Sequence, residues 1–238
     1  MPSKSKILSA AAASVMAASL LPGAPLAPAS AQGPITVSAA SQGPAKWSTS
    51  RMKRAKRAVR SMSAAQLRQL APVVPTGLLS KKVDRVPGYQ GQRSCQRGAR
   101  PGTRALARLL RRTYASGIPI GISRRCAGDT SEHYDGRALD WMVNSRKPRQ
   151  AAMGDAFTSW LTKRGHGVRG EMARRLGVMY IIWRGRSWAS YRPGWSDYRG
   201  CSRGGGSRWN ATACHFDHVH ISLNWPGARK KTSWYRAL

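Results

Sequence analysis

The sequence predicts an α+β fold. Three observations carry that expectation: several segments have helical periodicity, the β-prone runs between them are short, and the two kinds do not alternate in the regular way that builds a parallel sheet. No internal repeat is present. At 238 residues the chain can bury a core of ordinary domain size with extensions to spare.

Taken in order, residues 51–69 place Met52, Ala55, Val59 and Met62 at helical spacing with Lys and Arg between them. That pattern predicts an amphipathic helix or helical pair, divided near Ser63, where S-A-A-Q forms a capping box. Such a basic segment either tethers the protein to an anionic surface or is a solvated face over a small apolar stripe. A turn-rich passage follows, and the compact domain is expected from about Val86. Leu106, Leu109 and Leu110 set a helix over 104–114 that ends before Ser116-Gly117. A short strand is expected at 118–123 and a buried one at 138–143. Ala152, Ala156, Phe157 and Trp160 share one side of a helix over 149–162, and Gly177 ends another over 171–176. V-M-Y-I-I-W at 178–183 reads as a central strand. Residues 184–210 read as a loop with Trp188, Tyr191, Trp195, Tyr198 and Trp209, aromatics that either line a substrate groove or pack over the edge of the core. A last strand is expected at 218–223, followed by a tail.

The N-terminus bounds the compartment. Lys4 and Lys6 precede an apolar run of about 15 residues at 7–21, a Pro-rich segment follows, and Ala29-Ser30-Ala31 offers small residues for cleavage: the pattern of a secretory signal peptide over 1–31. The run falls short of the roughly 20 residues that span a bilayer, so no transmembrane segment is expected after cleavage. The organisation read from the sequence is therefore a signal peptide at 1–31, a linker and basic helical segment at 32–85, and a domain at 86–238. Four cysteines suit an exported chain that oxidises them in pairs. Sequence permits three connectivities; Cys95 with Cys126 and Cys201 with Cys214 is favoured, because the second pair closes a Gly-rich loop just before the second motif below. A Cys-ligated metal site is disfavoured by the lack of C-x-x-C spacing.

The chain has 41 Lys and Arg against 9 Asp and Glu, a net charge of +32. Such a charge implies adhesion to a polyanion, whether anionic cell-wall polymers or, non-specifically, nucleic acid. Against that background two short segments stand out. Residues 131–140 read S-E-H-Y-D-G-R-A-L-D and residues 214–221 read C-H-F-D-H-V-H-I; together they hold four of the five histidines and four of the nine acidic residues. Imidazole and carboxylate together are a ligand set suited to zinc, and three protein ligands with an open fourth position make a catalytic rather than a structural site. Gly136 lets the first segment double back, so that His133 and Asp140 can reach one point. His218 and His220, two apart on a strand, face the same side. Asp217 would face the other side unless the strand begins, bulges or twists after it.

S-x-H-x-x-G-x-A-x-D followed by D-H-x-H resembles the LAS metallopeptidases, zinc enzymes that include lysostaphin-type endopeptidases and D-alanyl-D-alanine carboxypeptidases and dipeptidases. The match is closest to the D-alanyl-D-alanine branch, and residues 131–235 look like a group of actinobacterial secreted proteins. The resemblance implies a small antiparallel sheet with flanking helices and the zinc site on the sheet. It implies that His133, Asp140 and His220 bind Zn2+, that Asp217 is the general base, that His218 assists the transition state, and that an upstream arginine, Arg124 or else Arg125, holds substrate. Ser131 and Glu132 would support the ligands, while Asp135 and Arg137 would be surface or loop-ordering groups. The expected function is a secreted, cell-wall-associated, monomeric zinc peptidase that hydrolyses peptide bonds in peptidoglycan stems or cross-links. The alternative is a non-catalytic polyanion-binding wall protein that keeps the fold, and a secreted zinc nuclease is a weaker third.

Overall fold

Six antiparallel strands in the order β1-β2-β6-β3-β4-β5 form the frame of the computed structural model, which describes residues 48–78, 81–96, 98–203 and 210–238. The expected signal peptide and most of the expected linker lie outside the described residues. The strands are β1 (Ile120–Gly121), β2 (Ala138–Trp141), β3 (Val178–Trp183), β4 (Arg186–Ala189), β5 (Trp195–Asp197) and β6 (Val219–Leu223). The helices are α1 (Thr49–Ser61), α2 (Ala64–Arg68), α3 (Pro101–Tyr114), α4 (Pro148–Thr162), α5 (Glu171–Leu176), α6 (Arg199–Arg203), α7 (Trp225–Ala228) and α8 (Ser233–Arg236). Helices flank the sheet, as an α+β chain requires. No helix among the described residues is long and apolar enough to cross a membrane.

The two-residue period of the strands divides the sheet into two unlike faces. Leu139 and Trp141 of β2, Ile181 and Trp183 of β3, and Val219, Ile221 and Leu223 of β6 enter the hydrophobic core. Leu106 and Leu110 of α3 and Phe157 and Leu161 of α4 belong to the same core. Tyr114, Trp141 and Phe157 pack ring to ring at its centre, with centroids 4.8 Å and 6.1 Å apart. The alternate residues, Asp140 on β2, Tyr180 on β3 and His220 and Ser222 on β6, share the other face. Asp140 is paired directly with His220, and Tyr180 with Ser222. One face is core; the other carries the polar side chains.

Several expectations are corrected. The basic helical segment does not stand apart from the domain: Ala55 and Val59 of α1, Leu67 of α2, and Leu70 and Leu78 are buried in the common core, and the Tyr114 hydroxyl donates to the Leu70 carbonyl at 3.0 Å. The apolar stripe read from the sequence is what buries it, with Met52 and Met62 packed against the same core. The division at Ser63 is present, with both hydrogen bonds of the capping box formed. The stretch read as a loop over 184–210 contains β4, β5 and α6. Arg184 and Gly185, at φ 54° and 70°, make the two-residue turn that joins β3 to β4, with Trp183 paired to Arg186, the hairpin geometry in which both central residues have positive φ. The two disulfides are Cys95–Cys126 and Cys201–Cys214, with Cα atoms 5.9 Å and 4.4 Å apart, the pairing favoured above.

Candidate metal centre

Two pieces of chain distant in sequence meet on the polar face. Residues 131–137 form a tight loop in which the Gly136 amide donates to the His133 carbonyl at 3.0 Å and the Arg137 amide to the Glu132 carbonyl at 2.9 Å. Gly136 has φ +69°, and a Cβ there would lie 2.3 Å from the Gly98 carbonyl oxygen, so both conformation and space demand glycine. The loop turns His133 inward just before β2 delivers Asp140. On the neighbouring strand, β6, His220 sits opposite Asp140.

His133, Asp140 and His220 converge, each offering one ligand atom with all three atoms within 4.8 Å of one another. His133 Nε2 is 3.1 Å from Asp140 Oδ2, His220 Nδ1 is 2.9 Å from Asp140 Oδ1, and the two ring nitrogens are 3.3 Å apart. Four ligands about 2.0–2.1 Å from a tetrahedral zinc ion are about 3.3 Å from each other, so the separations fit such an ion. Both histidines are buried. Burial pushes the His133 imidazole below its ordinary value in spite of Asp140 beside it, which keeps the ring neutral, the form that binds metal. Burial alone would raise the Asp140 carboxyl; hydrogen bonds from His133 and His220 outweigh it and hold the group far below the usual carboxylate range. The three residues form a group that can hold a metal ion.

A further layer fixes His220. Its Nε2 is 2.9 Å from the Ser222 hydroxyl, and that hydroxyl donates to Glu132 Oε2 at 3.4 Å. Tyr180 donates to the same carboxylate oxygen at 2.6 Å and stacks on the His220 ring with centroids 5.4 Å apart. Glu132 thus braces His220 through Ser222, the position that carboxylates commonly take behind metal-binding histidines. Tyr180 and Ser222 were not singled out from the sequence. Their signal was the two-residue period: Ser222 follows His220 by two, and Tyr180 is the one hydroxyl in an apolar run.

The remaining expected residues fall into place unequally. β6 begins at Val219, after Asp217, so Asp217 is free of the strand's alternation. Its carboxylate is nonetheless engaged, with Oδ1 2.7 Å from His218 Nδ1 and Oδ2 accepting from the Thr212 hydroxyl at 2.6 Å. These hydrogen bonds outweigh burial and keep its carboxyl below the ordinary value. His218 Nε2 is 3.8 Å from Asp140 Oδ1. Arg124 Nη2 is 3.7 Å from Asp140 Oδ2 on a side chain 59% exposed, and both Arg124 and Arg125 line a cleft beside the Cys95–Cys126 bridge. His215 packs against His218, ring centroids 4.4 Å apart, and burial together with the charges of His220 and His218 pushes its imidazole down to about 3. His166 lies elsewhere, 2.8 Å from Glu171.

Asp135 and Arg137 are not surface groups. Both side chains are fully buried and paired at 2.9 Å. Asp135 accepts from the amides of Arg93 and Ser94. Arg137 donates to the carbonyls of Leu223, Gln90 and Gly91 and lies 4.6 Å from the centre of the Trp225 ring. This pair ties the first-motif loop to the end of β6, the strand that carries His220.

The geometry defines an α+β protein with a candidate metal triad on the polar face of an antiparallel sheet. A family model described as VldE, C-terminal domain matches residues 95–212, a little under half of the chain. The matched region includes His133 and Asp140 and stops before Asp217, His218 and His220. No curated protein and no solved structure matches the chain.

Proposed function

We propose that this protein is a secreted zinc-dependent peptidase that hydrolyses peptide bonds in peptidoglycan stems or cross-links. The observation that carries the reading is the convergence of His133, Asp140 and His220 beside a third histidine, His218, whose far nitrogen is tied to a carboxylate. The donor set of two imidazoles and one carboxylate suits zinc. A zinc ion bound by these side chains would supply Lewis acidity, activating water and polarising the scissile carbonyl.

The protein's own residues then divide the proton work. Asp217 accepts the Nδ1 proton of His218, which leaves Nε2, the nitrogen turned towards Asp140, free to accept a proton. In this reading His218 takes a proton from the attacking water and returns it to the leaving amine. Asp217 holds the imidazole in the required tautomer and stabilises its cation, with Thr212 steadying the carboxylate. The resemblance had implied Asp217 itself as base; the hydrogen bonds of its two oxygens favour the indirect role. Arg124, exposed at the edge of the triad, would meet a substrate carboxylate or a developing oxyanion.

The engagement of Asp217 also favours the second reading, a non-catalytic wall-binding protein that retains the fold. Mass spectrometry of fragments released from purified peptidoglycan, with and without chelator, separates the two. The peptidase reading expects about one zinc per chain, chelator-sensitive release of peptides, and a loss of roughly 10²–10⁴-fold in rate for His218→Ala. Intact peptidoglycan in the presence of zinc-loaded protein would overturn the peptidase reading.

A further inference from the structure

All nine acidic residues lie at or after Asp84, so α1 has none of its own. Three of the nine are engaged elsewhere. Asp84 accepts from Ser233 and Arg236, Asp155 from Trp183 and Arg184, and Glu171 from Arg175. Lys53, Arg54, Lys56, Arg57 and Arg60 are exposed along α1, and among the described residues no carboxylate lies within 4.0 Å of any of them. At 1.5 Å per residue these five cations occupy a row about 10 Å long.

This row belongs to a built element. Ala55 and Val59 anchor α1 in the core, and the Ser48 hydroxyl accepts from the Arg51 amide at its start. At its end the Arg149 guanidinium donates to the carbonyls of Val59 and Arg60, at 3.0 and 3.1 Å, and to that of Met62. A rigid row of like charge loses little entropy when it binds a partner. It also repels itself until one arrives. On α3, which packs against α1, Arg104, Arg108 and Arg111 are exposed as well, and their spacing of four and then three residues puts them on one side of the helix. Burial and the charge of Arg108 already push the Arg112 guanidinium below its ordinary value.

We propose that the outer face of α1 is a docking surface for a linear phosphodiester polymer that lacks bases. Arginine forks and lysine ammonium groups suit phosphate. α1 contains no aromatic residue on which a base could stack and no Asn or Gln to read a base edge, so recognition is through backbone charge alone. α1 belongs to the helical layer on the core side of the sheet, whereas the triad is on the other face; a polymer held by α1 leaves the triad open. The inference therefore stands apart from the peptidase reading.

Binding of labelled poly(glycerol phosphate) to the full chain, followed across salt concentration, tests it. Neutralising Lys53, Arg54, Lys56, Arg57 and Arg60 together to Gln is expected to weaken binding at least tenfold and to reduce the slope of log K against log salt by about 3.5, close to 0.7 per charge. Thermal unfolding and zinc content of that variant are expected to match the parent, and changing the same five positions to all Lys is expected to retain binding. An equal loss on neutralising Lys82, Lys163, Arg164, Arg169 and Arg192 instead would overturn the site. Equally tight binding of duplex DNA through the same five residues would overturn the choice of partner.

Discussion

The polar face of the sheet and the outer face of α1 use charge in opposite ways. Around the triad the acids are few, buried or half-buried, and each is met by named donors: Asp135 by Arg137 and two amides, Asp140 by two histidines, Glu132 by Tyr180 and Ser222, Asp217 by His218 and Thr212. On α1, Lys53, Arg54, Lys56, Arg57 and Arg60 are exposed, and among the described residues no carboxylate lies within 4.0 Å of them. The contrast teaches that in a chain of +32 an acidic residue marks a place where geometry has to be fixed, while an excess of cations marks a surface that meets anions from outside.

The comparison can be broken most severely at Asp135 and Arg137. Removing one partner leaves a buried charge uncompensated, so Asp135→Asn or Arg137→Met alone is expected to cost about 3–5 kcal/mol, read from denaturant unfolding. Replacing both together should cost less than the sum of the two single changes. Next comes the candidate triad: on the peptidase reading, His133→Ala or His220→Ala should abolish stoichiometric zinc, measured by elemental analysis of the purified protein, while the fold persists by circular dichroism. The support behind His220 is expected to matter less. Ser222→Ala or Glu132→Gln should weaken zinc binding about 10–100-fold in chelator competition.

A smaller effect is expected at Glu171. Burial alone would raise its carboxyl, but hydrogen bonds from His166 and Arg175 outweigh it and hold the group below its ordinary 4.5. A depressed carboxyl contributes stability that is complete above the unfolded value and is lost as pH falls through the folded one. Acid unfolding should therefore include a component below about pH 4.5 that Glu171→Gln removes. The smallest change in stability belongs to α1, where neutralising exposed cations should shift unfolding by no more than about 0.5 kcal/mol although it strips the polymer-binding surface.

Much of the architecture was legible where pattern and punctuation agree. α5 and β3 occupy the expected residues because Gly177, at φ +73°, separates a helical pattern from a run of β-prone side chains. The triad was legible because acids and histidines are scarce in this composition. Strands β4 and β5 were not, since R-S-W-A and W-S-D lack clean alternation and their pairing is set by the Arg184-Gly185 turn and by tertiary contact. The burial of Asp135 and Arg137 was hidden for a different reason. A charged pair two residues apart reads as solvated until the carbonyls of residues 90, 91 and 223 are brought around it. The direction of the Asp217 carboxylate depends in the same way on Thr212, five residues upstream, a pairing that spacing alone does not announce.

The place of β6 in the strand order has a consequence for biosynthesis. β2 and β3 are not neighbours; β6 lies between them, and it follows β3 in the chain by more than thirty residues. While the polypeptide is still being made, the two earlier strands have no shared partner, and Asp140 has no His220 opposite it. Assembly of the triad and closure of the sheet are then one event, timed by the arrival of the last strand.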